Sequence, residues 1–413
     1  MKKIVLSLLL FSTFAALAQK LPPASKLVAF YAFNNPTSLT RDSSDKQAKA
    51  FLSPASPKAV CGIGGGAIEL TGNEWIFMSD VGYNFSTANF TVSLYFKPTN
   101  SVGTRDIFTN VDTCAGKKRI FSIQYDASSR LIRIKMKDEK RSIEMSAKTD
   151  NSTCWQHVVF ARDNNYQRLY LNGVRKGATY TPDNQRINLT SMSLFFLGKS
   201  ECDPKTPSNH FRGLIDEVRV YNSAISDDEA AALYTKPDRI KNQDILIFID
   251  QEVKVSVENT CATKFSWFPT VGVSDPDISN PTIKPDKAGS YTYGLKFADL
   301  TASCIAYDSI KITVIDPTKQ PCGTVYVPNA FTPNGDDTNE TFGLSSPYTI
   351  GELIVFEILD RWGGIVFSST DPFQRWDGKS NDKLVQPGTY LYRLRYKCQG
   401  DEKSQSGSFI LIQ

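Results

Sequence analysis

Histidine is scarce in this sequence, with only two among 413 residues. Because histidine exchanges protons near neutral pH and is the commonest metal ligand, this scarcity argues against histidine-rich metal sites and several independent acid–base centres. A strong excess of positive charge is also missing, since 47 lysines and arginines face 43 aspartates and glutamates, giving a net charge of +4. This balance excludes the dense basic surface that binds phosphate backbones, so nucleic acid is not an expected partner. The chain also lacks a fixed repeat period, which argues against a solenoid.

Long hydrophobic runs are absent after the first 18 residues. At the start, Lys2 and Lys3 precede an apolar run from Ile4 to Leu17, and the small residue Ala18 follows. This pattern predicts a cleaved signal peptide over residues 1–18. The run is shorter than the roughly 20 residues that span a bilayer. We therefore expect an exported protein with no transmembrane segment after cleavage.

The eight cysteines become interpretable in an exported chain, because disulfides persist in oxidising compartments. No two are spaced as C-x-x-C, and the two histidines are not placed to complete a zinc site. The positions predict disulfides within three groups. These are Cys61, Cys114, Cys154 and Cys202, whose pairing stays open among three arrangements, then Cys261 with Cys304, and finally Cys322 with Cys398.

Short alternating or aromatic-rich segments, punctuated by Gly, Pro, Asn and Asp, predict an all-β chain. Examples are Phe90–Phe96 and Leu131–Met136. One short helix is predicted at Ser226–Tyr234, where Ser226 and Glu229 form a capping box. Breaks in the strand pattern divide the chain into three predicted domains, at residues 24–236, 244–316 and 322–413.

Four blocks of the first predicted domain resemble laminin G-like, concanavalin A-like domains. They are Gly65–Gly72, Phe90–Pro98, Trp155–Val159 with Leu169–Gly173, and Phe211–Tyr221. The resemblance implies a jelly-roll sandwich that binds carbohydrate or protein, in a superfamily that also includes pentraxins, lectins and some glycanases. In the middle domain, Phe265–Pro281 resembles PKD-like modules, which implies an immunoglobulin-like sandwich that acts as a spacer.

The last domain resembles the gliding motility-associated C-terminal domain of Bacteroidetes surface proteins. The matching blocks are Val327–Phe342, Phe356–Phe367, Trp376–Gly378 and Pro387–Tyr392. The resemblance implies a small β-sandwich that acts as a type IX secretion sorting signal. The secretion machinery then becomes a partner, and the destination is the cell surface or the extracellular space. The residues expected to serve sorting are Asn334, Gly335, Asp336, Arg361, Trp362 and Gly363.

Carboxylates suited to glycoside hydrolysis are not evident in the first domain. Glycanases use two carboxylates roughly 5 to 10 Å apart across a cleft, whereas Asp216 and Glu217 are neighbours on a strand and point to opposite faces. His157 lies in a strand pattern, and no Gly-x-Ser-x-Gly motif accompanies it or His210. We therefore predict a noncatalytic binding protein. The alternatives are a polysaccharide-degrading enzyme or its carbohydrate-binding accessory, and a structural adhesin without a small-molecule site.

Loops of the first domain supply the candidate ligand contacts. Exposed aromatic rings stack on sugars while polar side chains bond the hydroxyls, and loops on a rigid sandwich often carry binding sites. The candidates for contact with an extracellular glycan or surface protein are Trp75, Tyr83, Arg119, Asp203 and Asn209.

Calcium is the one candidate cofactor. Asp42 and Asp45 lie in a loop that resembles the loop after the first strand of these domains, and carboxylates are the hard oxygen ligands that calcium prefers. A solvated polar turn is the alternative interpretation of the same residues.

Overall fold

The structure is a computed structural model of the chain. It describes residues 20–79, 81, 89–99, 102–111, 119–150, 154–182, 186–189, 194–199, 209–258, 260–299, 304–316, 325–334, 339–345, 347, 350–380 and 383–412. The signal peptide predicted at residues 1–18 lies outside them. The described chain forms two compact units. The first contains the residues up to Arg239 with Val257–Ser266 and Lys296–Asp308, and the second contains Ile240–Ser256, Trp267–Leu295 and the residues from Ser309 onward.

Two sheets make up the body of the first unit. Its strands are β1 (Leu27–Tyr31), β2 (Ala50–Leu52), β3 (Lys58–Cys61), β4 (Gly66–Leu70), β5 (Ile76–Met78), β6 (Asn89–Pro98), β7 (Thr104–Val111), β8 (Ile120–Asp126), β9 (Leu131–Lys137), β10 (Ser142–Lys148), β11 (Gln156–Asp163), β12 (Tyr166–Leu171), β13 (Val174–Tyr180), β14 (Phe195–Leu197) and β15 (Gly213–Tyr221). The eight-stranded sheet has the order β13-β12-β11-β6-β15-β4-β3, with β1 also paired to β15. The seven-stranded sheet has the order β10-β9-β8-β7-β14-β5-β2.

Alternation along the strands explains why these two sheets pack against each other. In β9 the apolar residues Ile132, Ile134 and Met136 are buried in the core, while the basic residues between them lie on the opposite face. A strand with this period of two has one apolar face, which is stabilised when it packs on a second sheet. The predicted all-β fold with a jelly-roll sandwich is confirmed.

Strand β11 of the eight-stranded sheet is buried on both faces. Val158 and Phe160 face the core between the sheets, whereas Val159 and Ala161 pack in a cluster with Ala230 of the α-helix α1 (Asp227–Ala232). The predicted capping box is present, because the Ser226 side chain accepts from the Glu229 amide and the Glu229 carboxylate accepts from the Ser226 amide. The helix and its flanking chain therefore cover part of the outer face of the eight-stranded sheet.

Two disulfides differ from the predicted pairing. Cys61 is bonded to Cys261, and Cys154 is bonded to Cys304, with Cα–Cα distances of 5.8 and 5.9 Å. The predicted bond between Cys261 and Cys304 is wrong, and so is the assumption that the first four cysteines pair among themselves. The physical reason is that the stretches around residues 261 and 304 belong to the same compact unit as the sandwich. Cys398 is also disulfide-bonded, whereas Cys114, Cys202 and Cys322 lie outside the described residues.

The strands after α1 are β16 (Arg239–Ile240), β17 (Ile245–Phe248), β18 (Val253–Lys254), β19 (Val257–Glu258), β20 (Lys264–Phe268), β21 (Thr282–Ile283), β22 (Gly289–Asp299), β23 (Cys304–Ile315), β24 (Ala330–Phe331), β25 (Glu352–Leu359), β26 (Ile365–Ser369), β27 (Lys379–Ser380), β28 (Lys383–Leu384), β29 (Gly388–Cys398) and β30 (Asp401–Leu411). A four-stranded sheet has the order β17-β23-β22-β20, with β17 parallel to β23. A PKD-like module in this region stays a prediction.

The C-terminal strands form a five-stranded sheet with the order β24-β30-β29-β25-β26. Its inner face packs on a core that includes Phe342, Phe356, Trp376 and Phe409, and the rings of Phe342 and Phe409 are stacked at 3.6 Å between centroids. These aromatic residues belong mostly to the blocks that carried the resemblance. The predicted small C-terminal β domain is confirmed.

Candidate functional site

Aromatic side chains form a row on the outer face of the seven-stranded sheet. In β5 and β14 the neighbours of Phe77 and Phe196 belong to the core, so these two rings must point away from it. Phe51 is opposite Phe77, and Phe77 is opposite Phe196, in the register of β2, β5 and β14. Trp75 lies two residues before Phe77. We call Phe51, Trp75, Phe77 and Phe196 the aromatic cluster.

The exposed part of the aromatic cluster is at the sheet edge. The rings of Phe51 and Phe77 are stacked, with centroids 4.8 Å apart and planes at 15°, and Phe51 is 45% exposed. Phe77 and Phe196 are 6.2 Å apart, and Phe196 is buried. An exposed phenylalanine that is already held by a neighbouring ring offers a flat apolar surface without a large loss of rotamer freedom on binding.

Trp75 is held in place by backbone and side-chain contacts. Its amide donates to Ser53 Oγ at 3.0 Å, and its carbonyl oxygen accepts from the Ser53 amide at 2.9 Å. The Lys199 ammonium lies 3.9 Å from the centroid of the Trp75 ring and 4.8 Å from that of Phe196. These are cation–π distances, so Lys199 brings positive charge to the aromatic cluster.

His210 supplies a hydrogen-bonding group beside Trp75. Its ring is 6.2 Å from the Trp75 ring in an edge-on arrangement, and its Nδ1 donates to the carbonyl oxygen of Gly72 at 2.8 Å. In the neutral ring this bond leaves Nε2 as an acceptor. His210 is 8% exposed, and Nε2 has no hydrogen-bond partner in the described part of the chain.

The sequence-predicted contact residues do not all meet at this site. Trp75 belongs to the aromatic cluster, and Asn209 is exposed next to His210. Arg119 precedes β8, which is three strand positions from β5 in the sheet, or about 14 Å at the usual strand spacing. Tyr83 and Asp203 lie outside the described residues.

Several residues of this site were not predicted from the sequence. They are Phe51, Phe77, Phe196, Lys199 and His210. A signal was available, because Trp75–Met78 and Leu194–Leu197 are runs of four apolar residues. Since side chains alternate between the two faces of a strand, such a run places apolar residues on both faces.

The candidate calcium ligands have different surroundings. Asp42 accepts four hydrogen bonds, from the amides of Phe30, Ser44 and Ala48 and from the Ser44 hydroxyl, at 2.6 to 2.8 Å. Asp45 is exposed. No group of three or more His, Cys, Asp or Glu side chains suited to a metal is found among the described residues. Asp42 thus organises its own loop, and a calcium site at these residues stays a prediction.

Asp216 organises a loop beneath the surface. It is fully buried, and its carboxylate accepts hydrogen bonds from the amides of Ile63, Gly64 and Glu217. Burial raises the pKa of Asp216 to about 8. Glu217 is paired with Arg219. Both carboxylates therefore hold the fold together around β15, and the buried one has no contact with solvent through which a substrate would reach it.

His157 lies in a closed aromatic stack. Its ring is fully buried, 4.4 Å from the Tyr95 ring and 6.0 Å from the Tyr234 ring, and its Nε2 is 2.8 Å from Ser93 Oγ. Burial, together with the smaller effect of the nearby charge of Arg219, lowers the pKa of His157 to about 3. The ring is therefore neutral at physiological pH, and its role is packing.

A cavity of about 620 Å³ lies at the edge of the eight-stranded sheet and is lined by Phe33, Asn34, Pro36, Ala59, Val60, Cys61, Gly64, Gly65 and Gly66. The only polar side chain in this lining is that of Asn34, whose Oδ1 accepts from the Gly66 amide at 2.7 Å. Such a lining gives little basis for selecting a polar ligand. The aromatic cluster is the better candidate.

In the C-terminal domain, the predicted sorting residues Arg361, Trp362 and Gly363 form the turn between β25 and β26. Asp360 Oδ1 accepts from the amides of Trp362 and Gly364 at 2.8 Å, and Gly363 has a φ of +84°. This turn leaves Trp362 86% exposed. Asn334 donates its amide to the Thr332 carbonyl oxygen at 2.9 Å, whereas Gly335 and Asp336 lie outside the described residues.

Two parts of the chain match known protein families. Residues 70–231 match the family model described as the concanavalin A-like lectin/glucanases superfamily. Residues 325–412 match the type IX secretion signal domain. No curated protein matches the chain.

Three solved structures resemble the chain weakly. Domain 4 of an extracellular GH43 arabinanase from Geobacillus stearothermophilus, in complex with arabinotriose, is 23% identical, with coverage of 51% of this chain and 98% of that chain and a TM-score of 0.42. A sialidase CBM40 from Ruminococcus gnavus bound to α2,3 sialyllactose is 16% identical, with coverage of 41% and 96% and a TM-score of 0.35. A pentraxin from Limulus polyphemus is 16% identical, with coverage of 35% and 68% and a TM-score of 0.28.

The secretion signal bears on where the protein is found. No described helix is long and apolar enough to cross a membrane. The chain contains a concanavalin A-like domain at residues 70–231 and a type IX secretion signal domain at residues 325–412, which implies export to the cell surface or the extracellular space.

Proposed function

We propose that the protein is an exported carbohydrate-binding protein and that the aromatic cluster is its sugar-binding site. The observation that carries the proposal is the stacked pair of Phe51 and Phe77, with Phe51 exposed, beside Trp75 and Lys199. Sugars present apolar ring faces edged by hydroxyls, so an aromatic platform with adjacent polar groups complements both.

The position of the cluster supports this proposal. Trp75, Phe77, Phe196, Lys199 and His210 all lie within the concanavalin A-like match. The outer face of the eight-stranded sheet is covered in part by α1, whereas Phe51 is open to solvent at the edge of the other sheet. A saccharide therefore has access to the cluster without a rearrangement of the fold.

The test is saccharide binding by the full chain with a matched pair of variants. Phe51→Ala removes the exposed ring of the stack, and we expect about fivefold weaker binding, because a stacked aromatic contact contributes on the order of 1 kcal/mol. Tyr166→Ala is the control, since Tyr166 is 54% exposed and also contacts a neighbouring ring, that of Tyr180, at 4.9 Å between centroids, but lies on the other sheet. Equal loss in both variants, or none in Phe51→Ala, would reject the site.

We also propose that binding occurs without hydrolysis. The support is that Asp216 and Glu217 are engaged in holding the fold, and His157 is sealed between tyrosine rings. Incubation of the protein with the polysaccharide that it binds best should release no reducing sugar. Release that survives purification to homogeneity would support the polysaccharide-degrading enzyme instead.

Calcium dependence is tested in the same titration. Binding measured with calcium and with a chelator, in wild type and in an Asp45→Ala variant, separates a calcium-dependent lectin from a calcium-independent one. Because Asp42 already accepts four hydrogen bonds from its own loop, we propose that saccharide binding is unchanged by the chelator. If the protein binds none of the saccharides tested, the result would favour the structural adhesin, which binds protein.

A further inference from the structure

Trp362 is the most exposed large apolar side chain for which the described part of the chain gives an exposure, at 86%. Solvent exposure of a tryptophan ring does not stabilise the fold, and yet the hydrogen bonds of this turn hold Trp362 in an exposed position. Asp360 accepts the amide hydrogens of Trp362 and Gly364, and Gly363 adopts the left-handed conformation that closes the turn. The turn is therefore defined, and the tryptophan is its outermost side chain.

The outer face of the five-stranded sheet continues from this turn as an apolar row, which we define as Leu359, Ile365, Leu391 and Ile410. Leu359 is opposite both Ile365 and Leu391 in the strand register. Ile410 is two residues along β30 from Ser408, the partner of Leu391, and thus lies diagonally next to it. Ile365, Leu391 and Ile410 are between 48% and 55% exposed. The apolar row crosses four strands.

Charged side chains surround the apolar row on the same face. Arg393 pairs with Glu357, and the two differ in exposure, since the arginine is 54% exposed and the glutamate 12%. Arg361 is exposed in the turn itself. Two arginine side chains therefore reach solvent at this rim, and one of them is held by an ion pair. An apolar centre with a polar rim that includes arginine is the composition of protein interfaces, in which tryptophan and arginine often dominate the binding energy.

We propose that Trp362 and the apolar row are the contact surface by which a protein of the secretion machinery reads the type IX signal. The partner that fits is a protein with an apolar pocket for the indole and an acidic rim opposite Arg361 and Arg393. A protein of the secretion machinery is the proposed partner because the matched secretion signal domain, residues 325–412, contains all of this surface. The proposal is independent of saccharide binding by the first unit.

The test is export of the full chain in a bacterium with a type IX system. Trp362→Ala should lower the exported fraction about tenfold or more, with accumulation in the periplasm, because truncation of a central interface tryptophan commonly weakens binding about thirtyfold. Trp362→Phe keeps a ring and should restore most of the export. Tyr326→Ala is the matched control, since Tyr326 is 64% exposed in the same domain but outside the apolar row.

Folding is monitored in parallel by the thermal unfolding of each purified variant. Retention of Trp362→Ala with a wild-type melting temperature, together with normal export of Tyr326→Ala, supports the proposal. Export of Trp362→Ala at the wild-type level would overturn the proposal. It would also be overturned if Trp362→Ala has a lowered melting temperature and is exported normally when the cells grow below that temperature, because unfolding would then explain its retention. If Trp362→Ala abolishes self-association of the purified chain and is exported normally, the surface binds a second copy and the proposal is wrong.

Discussion

His157 gives the sharpest quantitative prediction, because its surroundings prevent it from taking up a proton in the folded protein. The ring is fully buried between Tyr95 and Tyr234, and its pKa falls from 6.5 to about 3 through burial first and the charge of Arg219 second. In the unfolded chain the same ring regains an ordinary pKa. Acidification therefore adds a proton to the unfolded state while the folded state stays neutral, and stability falls as the pH drops from about 7 toward 3.

The magnitude follows from the two pKa values. One pKa unit corresponds to about 1.4 kcal/mol, so between pH 7.5 and pH 5 this single ring lowers the free energy of unfolding by about 2 kcal/mol. Asp216 acts in the opposite direction, because burial raises its pKa to about 8 and its folded form binds a proton that the unfolded form releases. Wild-type stability alone does not separate the two contributions.

The variant His157→Gln isolates the histidine. Glutamine does not titrate, whereas Asp216 is present in both proteins and its contribution cancels in the difference between them. Denaturant unfolding at pH 7.5 and at pH 5 measures that difference directly. We expect the stability of wild type relative to the variant to fall by about 2 kcal/mol between the two pH values. A difference that changes by less than about 0.5 kcal/mol would refute the argument, since the folded ring would then accept a proton.

Three further predictions concern stability. Replacing Cys61 and Cys261 by serine opens a bond across a separation of 200 residues, and we expect a loss of about 2 to 5 kcal/mol in denaturant unfolding; a loss below about 1 kcal/mol would contradict this. Lys97→Met leaves the buried carboxylate of Asp299 without its 2.5 Å ion pair and should cost about 3 kcal/mol, most of which a double variant with Asp299→Leu should recover; no recovery would contradict the ion-pair account. Ser226→Ala removes the helix cap and should lower stability by about 1 kcal/mol, whereas Ser226→Asp should not; equal effects would contradict the capping role.

Local features of the fold could be predicted from the sequence because each depends on residues close together in the chain. The pair Asn172 and Gly173 adopts φ values of +51° and +75°, as required for the tight hairpin between β12 and β13. The alternation of Leu131–Met136 predicts a strand, and this strand is present with one face in the core. The capping box at Ser226 and Glu229 begins the helix as expected.

Long-range features could not be predicted in the same way. Cys261 and Cys304 are consecutive cysteines along the chain. Each nevertheless bonds a cysteine of the sandwich, because tertiary contacts decide which sulfur atoms meet. The aromatic cluster was only partly foreseen. Trp75 is a candidate from the sequence, like Tyr83, because it lies in a turn region, but Phe51 and Phe196 join it only through strand register, which a single sequence does not specify.

The most direct test of the central claim, that saccharide binds at the aromatic cluster, follows the tryptophan indole signals by NMR during titration with the best-binding saccharide. The chain has five tryptophans, so the five signals can be assigned by single Trp→Phe substitutions. A sugar that stacks at the aromatic cluster should shift the Trp75 signal in proportion to saturation, while the signal of Trp362, exposed in the other unit, should not move. Saturable binding with an unchanged Trp75 signal would contradict the claim.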